Sequence, residues 1–124
     1  MPEPLKILVV DDEAAIRGLL IDVLRDEHYV VVTAANGRVA VEVAAREQPD
    51  LILIDMMMPE LDGPGAIRRV RQLPGLVDVP IVVMSAGDGV LPAYINAAAR
   101  ISKPFHLDHV LAVVSEALHR ASEG

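Results

Sequence analysis

Acids, one hydroxyl and one lysine stand directly after apolar runs in this chain. Asp11, Asp12 and Glu13 follow KILVV, Asp55 follows LILI, Ser85 follows IVVM, and Lys103 follows ARIS and precedes Pro104. A carboxylate beside apolar packing is costly unless it has a partner, so a buried run that ends in an acid calls for a reason. Each residue alone has a plain explanation. Asp11 and Asp12 could cap a helix, Ser85 could be a turn residue, Lys103 a solvated lysine and Asp55 a strand terminator. Met56, Met57 and Met58 read as gap-filling side chains, since thioethers ligate only soft metals. The set as a whole is much harder to obtain by chance than any member of it.

Taken together, these types define a chemistry. Crowded carboxylates raise one another's pKa unless a cation lies among them. Oxygen-only donors with no Cys or His point to Mg²⁺, which takes one or two carboxylates, waters and phosphate oxygens. A lysine and a hydroxyl converging on one place can hold the equatorial oxygens of a transferring phosphoryl group. One carboxylate would then be the nucleophile and form an aspartyl phosphate. Asp55 fits that role because it stands alone on its strand, leaving Asp11 and Asp12 to hold metal.

The elements that must position these groups alternate along the chain. KILVV (6–10), VVVTA (30–34), LILI (51–54), IVVM (81–84) and the weaker ARIS (99–102) read as short strands buried on both faces. Ile16, Leu19, Leu20, Val23 and Leu24 have helical spacing, and Leu107, Val110, Leu111, Val114 and Leu118 nearly repeat it. Shorter amphipathic stretches run from Arg38 to Glu47 and from Pro64 to Leu73, with Pro64 suited to a first helical position. The alternation predicts an α/β fold, an open parallel sheet with helices on both faces and right-handed crossovers. In such sheets reactive groups gather beyond the carboxyl ends of the strands, which is where the polar residues fall. The tail HRASEG reads as frayed.

Composition bounds the rest. The 124 residues fit one domain, 52% apolar and 23% charged. A formal charge of -7 gives no electrostatic support to nucleic acid as a direct partner. With no cysteine, disulfides and thiolate metal sites are excluded. The five-residue apolar run near the start is too short for a signal peptide or membrane span. A soluble cytoplasmic domain is the expectation. His28, His106, His109 and His119 read as exposed surface histidines, and Arg68, Arg69 and Arg71 as a solvated positive helix face.

VVDDE, LILIDMMMPELDG, VVMSA and SKPF together resemble the receiver domain of two-component response regulators, over nearly the whole chain. The resemblance implies one receiver domain spanning residues 1–124, with a five-stranded flavodoxin-like sheet in the order 2-1-3-4-5. It implies that Asp55 takes a phosphoryl group from a phosphohistidine of a sensor histidine kinase or phosphotransfer protein. Mg²⁺ would lie among Asp12, Asp11 through water, Asp55 and the backbone carbonyl of Met57. Ser85 would bond the phosphoryl group on activation, and Lys103 would pair with it and with the acids. A cis Lys103–Pro104 peptide is also implied. The output would be a downstream protein or a fused effector domain, with the receiver a monomer or weak dimer.

Two departures from the family pattern stand out. Where the family usually has Tyr or Phe, three residues before the lysine, this chain has Arg100. Burying a guanidinium unpaired is costly, so Arg100 is expected to stay outside, with Tyr94 a candidate substitute for the ring. The stretch from Ser85 to Lys103 is also several residues short. With Asn96 in the left-handed helix-ending position, the fourth helix would run only from about Val90 to Ile95, under two turns at ~3.6 residues each. Two other classes compete. A receiver-like interaction module would work without phosphorylation. A Mg²⁺-dependent phosphatase with an aspartyl nucleophile would want an acid where Met57 stands and a capping loop that is missing.

Overall fold

The computed structural model describes residues 4–58, 63–86, 91 and 93–123, with the backbone but not the side chain of Tyr94. Five strands form one parallel sheet: β1 (Lys6–Val10), β2 (Val30–Ala34), β3 (Leu51–Asp55), β4 (Ile81–Ser85) and β5 (Ala99–Ser102). Their order is β2-β1-β3-β4-β5, the order the resemblance implies. The register is continuous across the sheet. Ile7 pairs with Val31 and Leu51, Ile52 with Ile81, and Val82 with Ala99.

Alternation along the strands divides the core in two. Ile7, Val9, Leu51, Leu53, Val82, Met84 and Ile101 point to one face, under α1 (Ala14–Asp26) and α4 (Leu107–Glu123). Leu8, Val10, Ile52, Ile54, Ile81 and Val83 point to the other, under α2 (Gly37–Glu47) and α3 (Gly63–Val70). These strands are apolar on both sides because helices cover both sides. α1 presents Leu20 and Leu24 to the core, whereas Leu19, included in the apolar stripe by spacing, is 52% exposed. The Asn36 side chain caps α2 by accepting from the Val39 N–H at 2.9 Å, which satisfies one orphan donor of the first turn.

Two helix ends differ from expectation. α3 stops at Val70 rather than Leu73, and Arg71 is half-buried beyond it instead of lying on a solvated face. Its Nη1 donates to the carbonyls of Val77 and Val79, and its Nη2 to those of Ile95 and Asn96. Burial lowers the Arg71 pKa, with Asp78 acting in the opposite sense. Arg68 and Arg69 are exposed, as expected. The tail is not frayed through its length, because α4 continues to Glu123 with ion pairs Glu116–Arg120 and His119–Glu123 one turn apart.

The connection before β5 is short, as its length implies. Its described part is a single 3₁₀ turn, Ala93–Ile95, ended by Asn96 at φ 46°. The fourth helix was expected from about Val90 to Ile95, and of that stretch residues 90 and 92 lie outside the described residues. The Lys103–Pro104 peptide is cis.

Gly63 opens α3 against the end of β3. A Cβ there would lie 2.6 Å from Met56 Cα and 2.8 Å from the Asp55 carbonyl oxygen. Both neighbours are backbone and cannot turn aside. Gly63→Ala is therefore expected to destabilise the fold by about 1–3 kcal/mol, read as a lower midpoint in chemical denaturation with an unchanged slope.

Candidate functional site

Every sequence-derived candidate lies at the carboxyl edge of the sheet. Asp11 directly follows β1, Asp55 and Ser85 are the last residues of β3 and β4, and Lys103 directly follows β5. The strands hold this edge together through their last backbone bonds: Asp11 N–H to the Ala34 carbonyl at 3.2 Å, Met56 N–H to Met84 at 2.9 Å, and Lys103 N–H to Ser85 at 2.8 Å.

Asp11, Asp55 and Lys103 are in step with Ile7 and Val9, Leu51 and Leu53, and Ile101, so all three fall on the α1/α4 side. There they meet. Lys103 Nζ lies 2.9 Å from Asp11 Oδ2 and 3.1 Å from Asp55 Oδ2. Asp11 is fully buried and Asp55 is 5% exposed. One ammonium thus bridges two buried carboxylates. Burial opposes the charge on Lys103, but its hydrogen bonds to Asp11 and Asp55, and their charges, outweigh that and raise its pKa above the ordinary 10.5.

The other carboxylate oxygens are held by backbone. Asp11 Oδ1 accepts from the Glu13 N–H at 2.9 Å, and Asp55 Oδ1 from the Met57 N–H at 3.0 Å. Both are Asx-type turns that aim the acid along its strand. The plainer reading of Asp11 as a helix cap is not met: it turns the chain two residues ahead of the N-cap position. Glu13 is the N-cap residue of α1 and caps with backbone alone. Arg17 Nη1 donates to the Asp11 carbonyl at 2.7 Å, tying the acidic loop to α1.

Asp12 is exposed, and one carboxylate oxygen each from Asp11, Asp12 and Asp55 lie within 4.8 Å of one another. Three carboxylates against one lysine leave net negative charge at close quarters, and every donor is a hard oxygen. That donor set fits Mg²⁺. Met56 and Met58 are buried packing residues, whereas Met57 is 74% exposed in the turn after Asp55. The four histidines are exposed, as expected.

Ser85 is buried, and its Oγ accepts a hydrogen bond from Arg100 Nε at 3.0 Å. Arg100 is thus half-buried and paired, not outside the fold as its charge alone suggested. The desolvation argument assumed a guanidinium without a partner, and Ser85 is one. The signal was present in the strand period: with Ile101 inward on one face, Arg100 falls on the other, in step with Ser85. The Tyr94 side chain, the suggested substitute, is outside the described residues.

The family model of the response regulator receiver domain matches residues 7–115. This chain belongs to that family. It is 39% identical over 122 residues to the probable transcriptional regulator ycf27 of Pyropia yezoensis, covering 95% of this chain and 49% of that protein. It is 38% identical over 123 residues to the response regulator MprA of Mycolicibacterium vanbaalenii, covering 96% and 52%. The chain spans about half the length of these curated relatives. Among solved structures, the chemotaxis response regulator CheY4 of Vibrio cholerae superposes with a TM-score of 0.85 at 28% identity, over 92% of this chain and 98% of that one. The receiver domain of sensor histidine kinase PA1611 from Pseudomonas aeruginosa, solved with a magnesium ion in its active site cleft, gives 0.82 at 27% identity, over 94% and 98%. Among the described residues no helix is long and apolar enough to cross a membrane.

Because the Lys103 pKa is raised by folding, its stabilising contribution is complete below pH 10.5 and is lost as pH climbs through the raised value. Lys103→Met, which strands two buried carboxylates, is expected to cost on the order of 3 kcal/mol at neutral pH. In urea unfolding, the gap between wild type and variant should stay constant to about pH 10 and close above it.

Proposed function

We propose that this receiver domain accepts a phosphoryl group on Asp55 in a Mg²⁺-dependent reaction and that the modified carboxylate switches the domain's interactions. The observation that carries this reading is the bridge from Lys103 to Asp11 and Asp55, with Asp12 beside it. Asp11, Asp12, Asp55 and the backbone carbonyl of Met57 would hold the cation. When bound, Mg²⁺ supplies neutralisation of the charge that develops on the phosphoryl oxygens.

The chain's own residues do the rest. A carboxylate oxygen of Asp55 attacks phosphorus on a phosphohistidine of a sensor histidine kinase or phosphotransfer protein. The new O–P bond forms as the P–N bond breaks, and the imidazole leaves with the electron pair and takes up a proton. Asp55 is suited to this because two contacts, from Lys103 Nζ and the Met57 N–H, fix its orientation before the donor arrives. Lys103 then has a phosphoryl oxygen to pair with, at the site where it now pairs with Asp55. Ser85, at the neighbouring strand end, donates its hydroxyl proton to another.

The product carries roughly -1.5 to -2 of charge and three strong acceptors where a single carboxylate stood. That change acts on the end of β4 through Ser85 and is read by a downstream protein or a fused effector domain. Slow hydrolysis by water resets Asp55, so the domain modifies itself rather than turning over a substrate. Exposed acids and a charge of -7 favour protein partners over direct contact with nucleic acid.

Incubation with a small acyl phosphate and Mg²⁺ should give one phosphoryl adduct in the intact mass, labile to alkali. The adduct should be missing in Asp55→Asn and when the metal is chelated. An unmodified mass under conditions that label other receivers would sink the reading and favour a module that binds without phosphorylation.

A further inference from the structure

Ser85 pairs with Ser102 across the parallel β4–β5 ladder, so Arg100 sits diagonally from Ser85 on the same face. A long side chain spans that diagonal, and Arg100 Nε reaches Ser85 Oγ at 3.0 Å. Nε is the innermost guanidinium donor, next to the aliphatic stem. Donation from it fixes the plane of the group against the end of β4.

The direction of the hydrogen bond matters. A hydroxyl has one proton and two lone pairs, and a guanidinium can only donate. In this contact Ser85 Oγ is therefore the acceptor. A phosphoryl group on Asp55 would offer acceptor oxygens only, so it must take the hydroxyl proton. The two demands fall on different parts of Ser85 and are compatible. A hydroxyl whose lone pair is held by a cation is also a stronger donor, because successive hydrogen bonds polarise one another.

We propose that Arg100 is a positioning residue for phosphoryl transfer: it holds Ser85 Oγ as an acceptor and turns the hydroxyl proton toward the oxygens on Asp55. This rests on Asp55 as the phosphoacceptor. The chain of donors runs Arg100 Nε–H to Ser85 Oγ–H to phosphoryl oxygen, and no covalent bond changes in it. A phenyl ring at this position could couple to Ser85 only by filling space, whereas the guanidinium donates a hydrogen bond to it and is drawn to the added negative charge. The contact exists before phosphorylation and tightens on it, so the coupling is electrostatic.

The test uses the full chain in five forms: wild type, Arg100→Lys, Arg100→Met, Ser85→Ala, and the double variant Ser85→Ala with Arg100→Met. Two quantities are read, the rate of adduct formation from acyl phosphate with Mg²⁺ and the phosphorus-31 resonance of the adduct. Arg100→Met should slow formation about tenfold, the effect of one lost charge-assisted hydrogen bond. Arg100→Lys, which keeps a cationic donor, should recover part of that loss. In the Ser85→Ala background the same Arg100→Met change should cost less than about twofold and leave the resonance where Ser85→Ala puts it. An equal loss in both backgrounds would make Arg100 merely structural and overturn the proposal, as would no loss in either. A wild type that takes no label overturns the reading of Asp55 and this inference with it; a labelled wild type matched by Arg100→Met overturns this inference alone.

Discussion

The ammonium of Lys103 is the constraint around which this sheet edge is arranged. Two carboxylates as buried as Asp11 and Asp55 repel each other, and the ammonium between them offsets that repulsion. Lys103, two residues beyond the level of Asp11 and Asp55 in the sheet register, reaches back to both because β1, β3 and β5 present residues of the same phase. A one-residue slip in any of those strands would turn its polar residue to the opposite face. The apolar packing under α1 and α4, which fixes the phase through Ile7, Val9, Leu51, Leu53 and Ile101, therefore also fixes the chemistry. Stability and function are set here by the same side-chain alternation.

The opposite phase carries a different task. Ser85 and Arg100 share the α2/α3 face with Ile81 and Val83, so their hydrogen bond is separated from the cluster of Asp11, Asp55 and Lys103. The two sets approach each other only at the strand ends. Gly63 adds to the crowding there, since α3 begins against the backbone of Asp55 and Met56 with no room for a side chain. The edge is thus stiff at β3, where the acid must be held, and the polar contact between β4 and β5 lies beside it.

Much of this was legible in the sequence because the strongest signals coincide. Unbroken β-branched runs mark strands covered on both faces, and the acids and lysine directly after them mark the edge. Asn96 was readable as a left-handed helix end because Asn tolerates the conformation that Gly usually supplies there, and it adopts φ 46°. What escaped depended on partners distant in sequence. Arg100 was placed outside on the cost of an unpaired charge, since nothing local names Ser85 as its partner. Arg71 was assigned to a solvated face for the same reason: its carbonyl partners lie beyond the end of α3. The helical tail was missed because HRASEG has little apolar content, while α4 reaches Glu123 with ion pairs one turn apart on its exposed side.

Arg71 bears on how the loops at the amino-terminal edge of β4 and β5 are held. Backbone carbonyls outside helices and strands need donors from elsewhere. Here one guanidinium serves Ile95 and Asn96 while also holding Val77 and Val79, so a side chain just beyond α3 satisfies backbone on two separate segments. Residue 71 thus ties the loop before β4 to the turn before β5, and shortening its side chain would leave four carbonyls on two loops to find donors in water.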